Sequence, residues 1–161
     1  MSQYNHFVRI TQASVYDLPK LQTLYTETIE NICVKDYGPE QIAAWTAGAG
    51  NLERWLTAIK TQYFLVARTG STVTGFGSLK DGEYIDFLYV HKDYQGTGVA
   101  GKIYARLEQR AAGLGKRELT ADVSRTARAF FEKKGFEVQR ENQNLIRGVT
   151  VINYRMKKTL V

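Results

Sequence analysis

The sequence predicts a mixed α/β (α+β) domain, one sheet flanked by helices, on three observations. Seven residues, Tyr84 to Val90 (YIDFLYV), are apolar on both alternating faces, as in a central strand covered above and below. A polar loop and a glycine-rich turn, Gly96-Thr97-Gly98, follow. The apolar period then becomes helical, with Val99, Ile103 and Leu107 on one stripe and Lys102, Arg106 and Gln109 on the other. Across the chain the segments read β, two or three helices, β-β-β, α, β, α, β-β, with no repeat, low-complexity tract or linker, so residues 1–161 form one domain.

Phe7 to Ile10 read as the first strand. Ser14 then opens a helix, with Asp17 three residues on as a weaker capping box and Pro19 in the first turn. Its stripe is Leu18, Leu21, Leu24, Tyr25, Thr28, Ile29 and Ile32. Gly38-Pro39 breaks the chain and starts a short helix through Trp45. Asn51 caps another, with Leu52, Trp55, Leu56 and Ile59 as its apolar positions. Residues 62–69 and 72–79 form a hairpin around Gly70-Ser71, and Asp81-Gly82 turns into the central strand. Gly113 and Gly115 stop the long helix. Glu118 to Val123 is a strand, Ser124 caps a helix carrying Ala127, Phe130 and Phe131, and Gly135 closes it. Phe136 to Arg140 and Gly148 to Met156 are the last two strands.

In the central strand Ile85, Phe87 and Tyr89 fall on one face, and Tyr84, Asp86, Leu88 and Val90 on the other. Strand, glycine turn and helix together make an anion site: first-turn N–H groups lack helical acceptors, the dipole is positive there, and glycine lets a phosphate approach. The letters allow two ligands. Gly96, Gly98 and Gly101 spell G-x-G-x-x-G with Asp122 about twenty residues on, as a dinucleotide fingerprint asks. Read from Gln95, the same stretch gives Q-x-x-G-x-A (Gln95, Gly98, Ala100), which resembles the acyl-CoA pyrophosphate loop of the GNAT acetyltransferase superfamily. Position favours the second. Five residues separate Val90 from Gly96, and the motif sits past the middle of the chain with few βα units left to follow.

The resemblance covers nearly the whole chain. Its strongest stretch is LYVHKDYQGTGVAGKIYARLE (88–108), followed by ARAFFEKKGFEV (127–138), which looks like the family's A-x-x-x-Y-x-x-x-G-F segment. DYGPEQIAAW (36–45) and RGVTVINYRM (147–156) resemble a bacterial subgroup. The resemblance implies a mostly antiparallel sheet of six to seven strands and an acetyl-CoA-dependent N-acetyltransferase. The backbone N–H groups of Gln95, Gly96, Thr97, Gly98, Val99 and Ala100 would hold the CoA pyrophosphate. Leu88, Tyr89 and Val90 would lie along the pantetheine arm, with a backbone N–H near Leu88 or Val90 facing the thioester carbonyl. Ser124 stands where many members carry a cofactor-bonding asparagine, although it also reads as a helix cap. Phe131 occupies the position of the family's thiolate-protonating tyrosine and cannot donate a proton, which leaves water, Tyr89, Tyr94, Tyr154 or Cys33.

Acetyl transfer needs a neutral amine. For an amine with a pKa near 10.4 this costs on the order of 4 kcal/mol at neutral pH, which a base offsets by taking the proton. Asp86, the only charge between Tyr84 and Val90, is the candidate. Buried without a partner, its carboxyl would have a raised pKa suited to a base; the alternative is an Asp paired with a nearby Arg. Glu83, on the other face, ranks lower. Tyr37, Trp45 and Trp55 are candidate walls of the acceptor site, although Trp45 in an apolar stripe reads more readily as core.

Composition narrows the partners. At 161 residues, 43% hydrophobic and 24% charged, the chain is an ordinary globular sequence with a sizeable core. No apolar run approaches the ~20 residues of a membrane span, and MSQYNHFVRITQAS has neither the basic head nor the apolar core of a signal. One cysteine, Cys33, excludes an intrachain disulfide and suits the cytoplasm; two histidines, His6 and His91, do not make a metal centre. The net charge of +6 is spread out and densest over 116–134, either a solvated surface or a field for a polyanion such as CoA rather than a nucleic-acid arm. The expected acceptor is a small-molecule or peptide amine, and the expected assembly a monomer or homodimer. An acyl-CoA-binding or regulatory module without turnover is the alternative function, a dinucleotide-binding protein the lesser one.

Overall fold

The computed structural model describes residues 7–161; residues 1–6, His6 among them, lie outside the described residues. In chain order the elements are β1 (Val8–Gln12), α1 (Leu18–Ile32), α2 (Pro39–Thr46), α3 (Leu52–Thr61), β2 (Tyr63–Thr69), β3 (Thr72–Lys80), β4 (Tyr84–Val90), α4 (Val99–Gly113), β5 (Glu118–Ser124), α5 (Arg128–Lys133), β6 (Glu137–Ile146) and β7 (Val149–Thr159). The seven strands form one sheet in the order β1-β2-β3-β4-β5-β7-β6, antiparallel everywhere except between β4 and β5. Among the described residues no helix is long and apolar enough to cross a membrane.

Alternation along β2 shows how the sheet divides the core. Phe64 and Val66 join Leu21, Ile29, Trp55 and Phe76 beneath α1 and α3; Leu65 and Ala67 join Ile103, Leu107, Leu119 and Met156 beneath α4. The first helix starts as its letters require, with Ser14 and Asp17 capping one another and Pro19 in the first turn. Leu52, expected on the apolar face of α3, is instead 53% exposed, because it sits in the first turn where the helix leaves the core.

Two glycines decide where α4 lies. A Cβ at Gly77 would stand 2.7 Å from Ile103 Cγ2, and one at Gly75 would stand 2.8 Å from Val99 Cγ1. Those distances are closer than side-chain carbons approach, so only glycine at both positions lets α4 seat this near β3.

The expected alternation of β4 holds only beyond its middle. Ser78 pairs with Phe87 but Leu79 pairs with Ile85, so Asp86 is an extra residue in the strand. The shift places Ile85 with Leu88 and Val90 on the α4 side, and Phe87 and Tyr89 on the α1–α3 side. Asp86 therefore faces α3 rather than sharing a face with Leu88, and a period-two reading cannot anticipate a bulge.

The last two strands run longer than the letters indicate. β6 continues through Glu141–Ile146, a stretch whose asparagines and glutamine lower strand propensity; pairing with β7 along its length overrides this.

Candidate active site

β4 and β5 pair only at Tyr84↔Thr120 and Ile85↔Ala121. Beyond these, β4 stays with β3 to Val90 while β5 stays with β7 to Ser124, and the two strands part. A cleft of about 700 Å³ runs through the gap. Gln95, Gly98 and Lys134 line one end, Leu88 and Val123 the middle, and Tyr25, Arg54 and Asp86 belong to the lining on the α1–α3 side.

The glycine turn has the properties of an anion cradle. Gly96 and Gly98 have φ of +72° and +88°, a region L side chains rarely enter, and nothing lies within 4 Å of where their Cβ atoms would be. The first backbone hydrogen bond of α4 runs from Lys102 N–H to Gly98 O, 3.1 Å, so the N–H groups of Val99, Ala100 and Gly101 have no helical acceptor. Gln95 Nε2 donates to Val90 O at 2.7 Å and Thr97 Oγ1 to Tyr94 O at 2.6 Å, tying the turn to the end of β4. A diphosphate fits this combination of unpaired N–H groups, open space above glycine and a positive helix end. Lys134 Nζ lies 3.7 Å from the position of a Cβ on Gly101, bringing to the turn one cation of the basic stretch 116–134.

Among the strand positions expected along the pantetheine arm, Val90 differs in one respect. Its carbonyl already accepts from Gln95 Nε2 and from Thr28 Oγ1 at 2.9 Å, which occupies both lone pairs. Val90 can therefore offer only its N–H.

Asp86 is partnered. Arg54 Nη2 donates to Oδ1 at 3.0 Å, Arg54 Nη1 to Oδ2 at 3.2 Å, and Gln62 Nε2 to Oδ2 at 2.7 Å. The side chain of Asp86 is 8% exposed. The premise of a lone buried carboxylate thus gives way to the alternative of an Arg-paired one, because the bulge turns Asp86 toward α3. Arg54 in turn lies over the Phe87 ring, 4.6 Å from its centroid. Oδ1 accepts one bond and keeps a free acceptor position. Gln62 Oε1 beside it is buried without a partner.

Across the cleft a second carboxylate, Asp122, is saturated. Oδ1 accepts from Arg155 Nε (2.8 Å) and Asn142 Nδ2 (2.8 Å), and Oδ2 from Arg155 Nη2 (2.9 Å) and Tyr84 Oη (2.7 Å). Burial alone would raise its carboxyl, but the bonds from Arg155, Tyr84 and Asn142 outweigh this and hold it below the usual carboxylate range. Asn142 and Asn144 both reach Asn153 Oδ1 at 3.0 Å. The sequence signalled none of this network, which depends on the unanticipated half of β6; only the alternation of Asn142 and Asn144 hinted at one polar face.

The expected proton donors separate. Tyr154 is not among the cleft-lining residues and lies under Arg128. Tyr89 lines the cleft, but burial pushes its hydroxyl well above 10, so donation to a thiolate is uphill. Burial likewise raises the Cys33 thiol and pushes Tyr25 up to about 12. Tyr94 lines the cleft beside the glycine turn. Phe131 is buried against Phe130 and Phe136 and touches the cleft. Ser124 Oγ accepts from Ala127 N–H at 3.1 Å, the capping role expected of it, and also lines the cleft. In the candidate acceptor wall, Tyr37 and Trp45 meet edge to face at 5.3 Å, while Trp55 is 1% exposed and packs on Phe87 as core.

A dinucleotide reading does not survive. One parallel pair in seven strands is not a doubly wound sheet, and the four bonds on Asp122 leave nothing free for a ribose.

Comparison with known proteins agrees with this geometry. Residues 33–158 match the family model described as an acetyltransferase (GNAT) domain. An uncharacterized N-acetyltransferase, YafP of Escherichia coli strain K12, is 29% identical over 141 residues, covering 88% of this chain and 89% of that protein. A GCN5-related N-acetyltransferase structure from Rhodopseudomonas palustris superposes with a TM-score of 0.90 at 31% identity, covering 99% of both chains. The PaiA N-acetyltransferase of Thermoplasma acidophilum, solved in complex with coenzyme A, shares the fold with a TM-score of 0.76 at 23% identity, over 95% of this chain and 99% of that one. The chain therefore belongs to the GNAT superfamily and is an N-acetyltransferase.

Proposed function

We propose that the protein moves an acetyl group from acetyl-CoA to a primary amine by direct transfer within a ternary complex. The observation that carries this reading is the continuity of the cleft, which joins the anion cradle at Gln95–Ala100 to Asp86 through the gap between β4 and β5. When bound, acetyl-CoA supplies an acetyl group activated as a thioester. The backbone N–H groups of Gln95, Gly96, Thr97, Gly98, Val99 and Ala100 would hold its pyrophosphate, with Lys134 adding charge nearby. Leu88 would pair with the pantetheine arm as a neighbouring strand does, and the N–H of Leu88 or Val90 would face the thioester oxygen. Tyr89, Ser124 and Phe131 would shape the channel.

Asp86 is assigned to the acceptor amine. Arg54 and Gln62 fix its orientation, and the free position on Oδ1 accepts a proton from the amine directly or through a water. The walls at Tyr37 and Trp45 limit water around the amine. Phe131 offers no hydroxyl, so the departing thiolate, with a thiol-like pKa of about 8.5, receives its proton from water or from Tyr94, which lines the cleft. A covalent route through Cys33 has no support, since burial raises that thiol and among the described residues its side chain has no histidine partner.

The test is CoA release with an amine panel, comparing the wild type with Asp86→Asn. Turnover is expected to fall by about 10²–10⁴-fold while acetyl-CoA affinity stays within about twofold. Unchanged turnover would remove Asp86 from the mechanism. The second reading, an acyl-CoA-binding module, is favoured by the hydroxyl missing at Phe131; tight CoA binding with no release from any amine would establish it.

A further inference from the structure

The acceptor end of the cleft has an unusual charge arrangement. Each of its carboxylates is matched by an arginine, Asp86 by Arg54 and Asp122 by Arg155. Asp122 is saturated, with four bonds on its two oxygens. The Arg54–Asp86 pair is not. A guanidinium has five N–H donors, and Arg54 spends two of them on Asp86, which leaves three. Its side chain is 48% exposed, and both it and Asp86 line the cleft. Arg54 is fixed in place by Phe87 beneath its plane and by the capped first turn of α3, where Asn51 Oδ1 accepts from the Arg54 N–H at 3.2 Å. The pair thus presents, side by side, a rigid cation with free donors and an anion with one free acceptor, 3.0 Å apart.

We infer that the acceptor carries a carboxylate next to its amine, as a free α-amino acid does, with the amine at Asp86 and the carboxylate on the free edge of Arg54. Resting on the transferase reading above, this names the substrate class of the same site. In an α-amino acid the two charged groups sit about 3 Å apart, set by standard bond geometry, close enough to reach together a cation and an anion that are themselves in contact, with opposite sign. A polyamine would find no net negative field here, because both carboxylates are neutralised by arginine. A peptide N-terminus has an amide where the amino acid has a carboxylate, leaving the Arg54 donors without an anion. In the reaction the amine nitrogen bonds to the acetyl carbon as the carbon–sulfur bond breaks. The bond pair leaves with sulfur, and the ammonium gives up two protons, one to the thiolate by way of solvent and one to the medium. The products are an N-acetyl amino acid, CoA thiol and one proton.

The test compares acceptors that differ only in that carboxylate. CoA release is measured with L-phenylalanine against L-phenylalaninamide, L-leucine against L-leucinamide, and spermidine, together with calorimetric binding of each to the CoA-loaded protein. The amides have the less basic amines, so intrinsic reactivity favours them, and a preference for the acids has to come from the site. The acids are expected to exceed their amides by about tenfold or more in kcat/KM. Arg54→Lys, which keeps a charge but loses the fork, is expected to shrink that ratio below about threefold, chiefly through KM for the acid. Amides or spermidine used as well as the acids would overturn the inference while leaving the transferase reading intact. Release from none of these, with release from another simple amine, would do the same. Release from no amine at all would overturn both readings, and the calorimetry would then show whether CoA still binds.

Discussion

The seating of α4 against β3 can be tested by one methyl group. In Gly77→Ala the new Cβ would stand 2.7 Å from Ile103 Cγ2, 3.2 Å from Leu88 Cδ1 and 3.2 Å from the Phe87 carbonyl oxygen. Ile103 is fully buried and cannot swing away, and the carbonyl belongs to the central strand. Overpacking of this kind costs about 1–3 kcal/mol. Against it, replacing glycine stiffens the unfolded chain and stabilises by about 0.4–1 kcal/mol where the backbone conformation is compatible, and Gly77 is not at positive φ. The net is a loss of about 1–2 kcal/mol, a Tm lower by about 2–8 °C for a chain of this size. Thermal unfolding of Gly77→Ala, Ile103→Ala and the double variant would measure it. The double is expected to be less destabilised than the sum of the singles by about 1 kcal/mol, because removing the isoleucine methyls makes the room. An unchanged or raised Tm in Gly77→Ala, or strict additivity in the double, would refute the close-approach argument. Since α4 carries the cradle at its N-terminus, the single variant should also weaken CoA binding.

Asp122→Asn should cost about 1–3 kcal/mol by leaving Arg155 and Tyr84 without their anion. Because the Asp122 carboxyl is lowered in the fold, its contribution is present above the unfolded value of about 3.9 and lost as pH falls through the lower folded value. Urea unfolding between pH 7 and 2 should therefore show a shallower acid limb in the variant, and an identical limb would contradict this. Lys134→Ala should raise the CoA dissociation constant about three- to tenfold at low salt, with the difference shrinking as salt rises; a salt-independent effect would point to packing on Tyr104 and Phe130 instead.

How far the letters reached follows from the range of the interactions. The glycine turn and α4 were legible because their signals are local: glycines at positive φ, then a helical stripe that proved buried at Val99, Ile103 and Leu107. Ser124 was legible as a cap for the same reason, its bond spanning three residues. The surroundings of Asp86 were not. They depend on a bulge that only strand pairing reveals and on Arg54 from a helix thirty-two residues away. The polar network around Asp122 was hidden likewise, because Asn142 meets Asp122 and Asn153 only once β6 has lengthened against β7. Gly75 and Gly77 carry no local signal of their role, which only the approach of α4 reveals.

Whether the turn at Gln95–Ala100 grips a diphosphate through its main chain is decided most directly by titrating CoA into the wild type and into Gly98→Glu by calorimetry, with NADH as the control ligand. Gly98 has open space where a side chain would begin, so a glutamate there would put a carboxylate into the proposed cradle. Saturable heat with CoA, little with NADH, and loss of the CoA heat in a Gly98→Glu protein that circular dichroism shows to be folded is the expected result. No heat with CoA, or equal uptake by the folded variant, would contradict the reading at its base.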